Sequence, residues 1–180
     1  ALTLKLWFLF KKLIVEEDVQ DIFELELKVL NVTIPMRKKG VRVDVERAEE
    51  LKNILQGKEE AILSKVQKDY GTSVDLWAAA SIAKAFDAAG LEYQYTEKTG
   101  APSFTKTFLS NHPHELPQII VQAREYNKAR TTFIDTILRH QHNGRIHAEA
   151  HSLRSDQGGT VTGRFSYSNP NLQQIPARHG

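Results

Sequence analysis

A change of hydrophobic period at Asn143-Gly144 constrains this chain more than any other feature. Before that dipeptide, apolar residues recur at helical spacing in segments punctuated by glycine, and after it they alternate as in a strand. Ile22, Phe23, Leu27, Leu30 and Ile34 fall at helical spacing in a segment from about Glu16 to Lys39. Lys38-Lys39-Gly40 then places cations and a glycine where a helix C-terminus favours them. Val41 and Val43 flank Arg42 in a short extended link, and Asp44 is an N-cap for a helix carrying Val45, Ala48, Leu51, Leu55, Ile62 and Val66. Gly57 is expected to loosen that helix midway, and Gly71-Thr72-Ser73 to end it.

An alanine-rich helix is expected from about Asp75 to Ala89, closed by Gly90. Residues 91–102 read as a surface loop with a little strand, and Ser103 to Ser110 as a short helix. Pro117 sits near the start of a pattern that runs to about Gln141, which makes it the longest element expected. Beyond the turn, Arg145 to His151 alternates and predicts a strand, with Thr160–Phe165 as its antiparallel partner across a Gly158-Gly159 loop. The class is α+β, mainly α: long antiparallel helices followed by the first strands of an antiparallel sheet.

The chain of 180 residues has no cysteine, which removes disulfides, thiolate nucleophiles and cysteine-ligated metal sites. His147-Ala148-Glu149 has the His-x-Glu form of zinc deaminases, and His147 and His151 share one face of the expected strand. The accompanying Pro-Cys-x-x-Cys is impossible here, so no metal site is assigned. The apolar opening from Leu2 to Phe10 is interrupted by Lys5, is followed by Lys11-Lys12 and lacks a small-residue cleavage site. It is too short to span a bilayer, so no membrane partner is expected, and the lack of cysteine fits an intracellular setting.

A net charge of +2 conceals an asymmetry. Residues 1–120 carry 16 basic and 18 acidic side chains, residues 121–180 carry 8 and 4, and no acid follows Gly158. Such a C-terminal third suits a polyanionic partner. Within it, Thr162-Gly163-Arg164 and the amides Asn171, Gln173 and Gln174, set between Pro170 and Pro176, offer one guanidinium fork and several neutral hydrogen-bonding groups. That chemistry suits binding of phosphates and base edges rather than acid–base catalysis, although residue types alone favour a polar loop beside a strand. On the long helix, Arg124, Lys128, Thr131 and Asp135 lie at i, i+4, i+7 and i+11. They form either a solvated face or a stripe whose basic end meets phosphates, while Arg130 projects with Ala123, Tyr126, Phe133 and Ile137 and either snorkels or pairs internally.

Thr162-Gly163-Arg164 followed by Pro170-Asn171-Leu172-Gln173-Gln174-Ile175-Pro176 resembles the signature that opens the palm of family A DNA polymerases, and Leu153 to Thr160 is similar to bacteriophage members. Met36 to Asp44 resembles the family's entry to the thumb, and Ala79 to Phe86 stands near the thumb tip, where the usual Ser-x-Lys-Gln run is absent.

The resemblance implies a piece of a DNA-directed DNA polymerase, and the start at Ala1 without Met is consistent with one. Residues 1–16 would be the last helix of a 3'-5' exonuclease-like domain, 17–43 a connecting helix and link, 44–141 the thumb, and 142–180 the first part of the palm. It implies primer–template DNA as partner, bound by Arg164, Asn171, Gln173, Gln174, Thr162, Gly163, Arg124 and Lys128, with Arg164 in the minor groove. It implies no catalytic or metal-binding residue within the chain. By the same resemblance, Mg2+, its carboxylate ligands and the dNTP site would belong to the full-length, monomeric parent, in the cytoplasm of a bacterial or phage-infected cell. A non-catalytic duplex-binding module, a single-subunit RNA polymerase relative and a helical interaction protein are the alternatives.

Overall fold

A computed structural model of the protein describes residues 2–156 and 158–176. In chain order its elements are α1 (Leu2–Glu16), α2 (Gln20–Lys39), β1 (Val41–Arg42), α3 (Val45–Tyr70), α4 (Ala79–Ala88), β2 (Gln94–Tyr95), β3 (Pro102–Ser103) and α5 (Lys106–Asn111). There follow α6 (Glu115–Lys128), a π-helical segment (Ala129–Ile134), α7 (Asp135–His140), β4 (Gln141–His142), β5 (Arg145–Ile146), β6 (Glu149–His151), β7 (Ser166–Ser168) and a 3-10 turn (Leu172–Gln174). Helix dominates, with small antiparallel sheets, as the α+β reading expects. The chain divides into two compact units: Asp44–Arg139, and the segments up to Val43 and from His140 onward. No helix among the described residues is long and apolar enough to cross a membrane.

In the unit Asp44–Arg139, local chemistry sets the ends of α3. The Asp44 carboxylate accepts the Arg47 N–H at 3.0 Å, and Gly71 closes the helix at φ +68, where a side chain is strained. Gly57 does not loosen α3, whose surroundings there are open and impose no competing contact. Val66, Ile82, Phe86, Leu109, Leu116 and Ile120 are fully buried, each stabilising the unit by about 2 kcal/mol through area removed from water. Phe86 packs against Phe104 with ring centroids 4.8 Å apart and meets Tyr93 edge-on.

The alanine-rich helix begins later than expected, at Ala79 rather than Asp75. The Asp75 carboxylate accepts the Trp77 N–H at 2.9 Å, and this Asx turn competes with helix while burying Val74 and Leu76. The pattern from Glu115 is also divided: α6 passes into the π segment before α7, and α3 is the longest single helix at 26 residues.

Polar ties join these helices. Glu59 is the one buried charged residue among those described. It accepts Asn127 Nδ2 at 2.8 Å and Arg130 Nη2 at 3.1 Å, so Arg130 pairs internally. Lys52 meets Asp135 at 2.9 Å, and Lys65 donates to Glu115 across α3 and α6. The Lys65 hydrogen bond and charge hold the Glu115 carboxyl below its usual range, and the same hydrogen bond raises Lys65.

The other unit is built on the Asn143-Gly144 hairpin. Asn143 at φ +49 and Gly144 at φ +72 form the left-handed pair that matches strand twist, joining β4 to β5. β5 also pairs with β1, giving the order β1-β5-β4 with Val41 opposite Ile146. Arg145 Nη1 donates to the Lys39 and Gly40 carbonyls at 3.1 Å each, fastening the end of α2. Gly40 is required there: at φ +67, a Cβ would lie 2.8 Å from the His147 ring and the Ile146 carbonyl. Helices α1 and α2 contain no buried residue.

The expected single strand from Arg145 to His151 is two strands. It breaks at His147, whose Nδ1 donates to the Arg37 carbonyl at 2.7 Å, and Arg37 in turn pairs with Glu149. His147 and His151 therefore do not share one strand face. The partner of β6 is Ser166–Ser168, with Ala150 opposite Tyr167, and not Thr160–Phe165. The earlier segment is held in a turn by its own hydroxyls, as described below.

Two outcomes test this account. Glu59→Ala leaves Asn127 without its acceptor and the largely buried Arg130 guanidinium with only the longer Asp135 contact at 3.9 Å. It is expected to lower the unfolding free energy by about 3 kcal/mol, measured by urea denaturation. In a carboxyl NMR titration, Glu115 should protonate below the reference of about 4.3 and return towards it in Lys65→Ala. Because its folded value is depressed, its stabilising contribution is complete above the ordinary carboxylate range and is lost as pH falls through the lowered value.

Candidate nucleic-acid interface

The loop between β6 and β7 is shaped by glycines, of which Gly159 leaves no room for a side chain. Gly159 lies at φ +99, and a Cβ there would sit 2.0 Å from the Leu153 carbonyl oxygen, inside its van der Waals envelope. Gly158, at φ +145, packs against the His151 ring. The Thr160 hydroxyl then donates to the Arg164 carbonyl at 2.7 Å, and the Thr162 hydroxyl donates to Thr160 at 3.2 Å. These bonds close residues 160–164 into a turn and engage the Arg164 carbonyl, which a ladder would otherwise use.

The turn presents its tip outward. Gly163 is left-handed at φ +70 with open space where a Cβ would stand, so an approaching molecule can reach its backbone. Thr162 and Arg164 are exposed, and the Arg164 guanidinium has no hydrogen-bond or ion-pair partner among the described residues. β7 follows, anchored by the Ser168 hydroxyl against His151 Nε2 at 2.7 Å.

The amide segment is partly self-engaged. Asn171 Oδ1 accepts the Gln173 N–H at 3.1 Å and opens the 3-10 turn, while Gln173 Nε2 donates to the Phe165 carbonyl at 3.0 Å. That second bond ties the turn to the residue beside Arg164. Among the described residues, the Asn171 NH2, the Gln173 carbonyl oxygen and the Gln174 side-chain amide have no hydrogen-bond partner. The nearby Glu149 carboxylate is offset by Arg37 and also accepts Asn169 Nδ2 at 3.4 Å. Among the described residues no three His, Asp or Glu side chains come together in a way that could hold a metal ion.

In the unit Asp44–Arg139, Arg124 is committed more deeply than its place on a helix stripe implies. Its Nε donates to the Leu76 carbonyl at 2.8 Å and its Nη1 to the Phe104 carbonyl at 2.9 Å, so it brackets two loops to α6. Burial lowers its pKa, and its guanidinium lies 5.4 Å from the Trp77 ring centroid. Lys128 is exposed and has no ion-pair partner among the described residues. Beyond it the stripe is not continued. The π turns hold more residues than α turns, the Thr131 hydroxyl bonds back to the Asn127 carbonyl at 2.8 Å, and Asp135 is drawn to Lys52.

Trp77, Lys106, Val121, Arg124, Glu125 and Lys128 line a cavity of about 300 Å³. Trp77 and Lys106 carry no motif and were passed over in the sequence. Their only local signal is a tryptophan placed directly after an Asx turn.

Comparison with known proteins bears on the whole of this arrangement. The family model for DNA polymerase family A matches residues 45–180. A DNA-directed DNA polymerase of Pseudomonas phage M6 is 33% identical over 173 residues, covering 91% of this chain and 26% of its own length. A thermostable DNA polymerase I of Thermus filiformis is 34% identical over 161 residues, covering 86% of this chain and 19% of its own. This chain thus spans about a fifth to a quarter of the length of these relatives. Among solved structures, the POL domain of Pol1 from M. smegmatis, in complex with DNA primer-template and dNTP, is similar in fold. The TM-score is 0.66 at 24% identity, covering 86% of this chain and 27% of that one. With a family model matched over most of its residues, and with the signature carried by the Thr160-to-Pro176 turn and strand, this chain belongs to DNA polymerase family A.

Proposed function

We propose that this chain is the part of a DNA-directed DNA polymerase that grips the primer–template duplex. The unit Asp44–Arg139 acts as thumb, and the segment after it as the opening of the palm. The observation that carries the reading is Arg164: an exposed guanidinium without a partner among the described residues, on a turn whose shape is fixed by two threonine hydroxyls and by Gly159.

A side chain so placed suits the minor groove, where purine N3 and pyrimidine O2 offer an acceptor at every base pair. Arginine there senses pairing geometry without reading sequence, as template-dependent synthesis requires. Thr162 and the Gly163 backbone extend the same surface, and the free edges of Asn171, Gln173 and Gln174 add neutral contacts near the primer–template junction. Lys128 supplies a phosphate contact from α6, and Arg124 both positions that helix and offers its remaining Nη2 edge. Helix α1 is read as the end of an exonuclease-like domain and α2 as the connecting helix. In the monomeric parent, Mg2+ held by carboxylates outside this chain would activate the primer hydroxyl and neutralise the dNTP phosphates. The residues of this chain orient the duplex for that step.

Fluorescence anisotropy with a primer–template duplex over a salt series tests the grip. Binding should weaken steeply with salt, and Arg164→Ala should cost about 1–3 kcal/mol of affinity at the groove contact. In the full-length parent the same substitution should slow extension of matched primers more than it weakens DNA binding. Equal losses in both would overturn the groove-sensing role.

The loop supplies an independent check. Gly159→Ala should lower duplex affinity at least tenfold, although Gly159 presents no side chain to DNA, because the turn carrying Arg164 cannot form around a Cβ. Gly163→Ala, with open space, should cost only about 1 kcal/mol of stability from its left-handed backbone.

A further inference from the structure

The unit Asp44–Arg139 covers its large apolar side chains well: among its described residues only Ile54, Trp77 and Tyr95 stand out as exposed, and Trp77 is 59% exposed. Trp77 is also held rigid. Its indole Nε1 donates to Asn127 Oδ1 at 3.0 Å, and Asn127 is itself fixed by the buried Glu59. Arg124, locked on two carbonyls, covers one face of the ring. An exposed indole clamped at its edge and backed on one face keeps the other face flat and available.

We propose that Trp77 is a stacking platform for a base of single-stranded DNA. The roughly 300 Å³ cavity beside it has room for one nucleotide, and its rim carries the charges such a ligand needs. Lys128 is free to meet a phosphate, Arg124 adds positive charge behind the ring, and Lys106 is partly neutralised by Glu125 at 2.8 Å. The rim remains net positive. Aromatic stacking beside a cationic rim is the general chemistry of sequence-tolerant single-strand binding, since every base has a π face. Duplex DNA keeps its bases stacked on one another and offers this ring only its backbone or an end. The inference rests on the reading of the chain as part of a DNA polymerase and assigns to its thumb a contact with an unpaired strand.

The chain has two tryptophans, Trp7 and Trp77, so Trp7→Phe leaves Trp77 as sole reporter. Titration of that variant with the octanucleotide dT8 should quench Trp77 emission saturably, at concentrations where a blunt hairpin duplex, which reaches Lys128 by its backbone and offers the ring only one end, quenches it far less. Trp77→Ala should weaken dT8 binding roughly tenfold in anisotropy, and Lys128→Ala should reduce the salt slope by about 0.7. No quenching by dT8, or equal quenching by the hairpin, would overturn the proposal, and the first readout does not depend on the folding of Trp77→Ala. Duplex gripping is scored separately by Arg164→Ala on a primer–template. Loss of that effect removes the proposed function, whereas an intact Arg164 effect with a silent Trp77 removes only the platform.

Discussion

Glu59 is an acidic side chain drawn out of water on α3, and the helical unit is organised around satisfying it. A carboxylate in such a place is tolerable only with strong donors, and α6 and the π segment supply them through Asn127 and Arg130. Arg130, on the widened helical turn, meets Glu59 at 3.1 Å and Asp135 at 3.9 Å, and Asp135 is shared with Lys52. The same asparagine pins the Trp77 indole, so a buried charge, a helix irregularity and an exposed aromatic surface form one connected hydrogen-bonded arrangement. Polar networks of this kind specify a register that apolar packing of α3 on α6 would leave looser.

At the loop that carries Arg164 the controlling constraint is steric rather than electrostatic. The chain passes so close to the Leu153 carbonyl that only glycine fits at position 159, and the hydroxyls of Thr160 and Thr162 then close the turn. The result is an arginine held by its backbone and left free at its head. Arg124 is the opposite case, with two donors spent on carbonyls inside the unit. Two arginines in one chain thus divide between presentation and bracing, and the difference lies in what surrounds each.

Features governed by neighbours in sequence were legible without coordinates. Asp44 caps α3, Gly71 ends it, Gly90 follows α4 in a left-handed conformation, and Asn143-Gly144 makes the hairpin, because each depends on a backbone preference expressed within a few residues. The misread elements involve competition or distance. Asp75 looked like a helix start, but its side chain made an Asx turn two residues on, and Thr160–Phe165 had strand-like alternation while its hydroxyls preferred each other. The tie between His147 and the Arg37 carbonyl, which breaks the expected strand, joins residues 110 apart and leaves no local mark.

By itself the sequence determined the helical class, the cap and turn positions and the family, through a run of residue types long enough to be specific. Only the tertiary structure decided which polar groups of that run remain free. It gave Gln173 to the Phe165 carbonyl, left Arg164 without a partner among the described residues, shifted the strand partner to Ser166–Ser168 and set Trp77 against Arg124. The physical reason is that a residue's type limits the hydrogen bonds it can make. Whether it makes them within the chain depends on carbonyls and side chains brought close by distant packing, which no local pattern records.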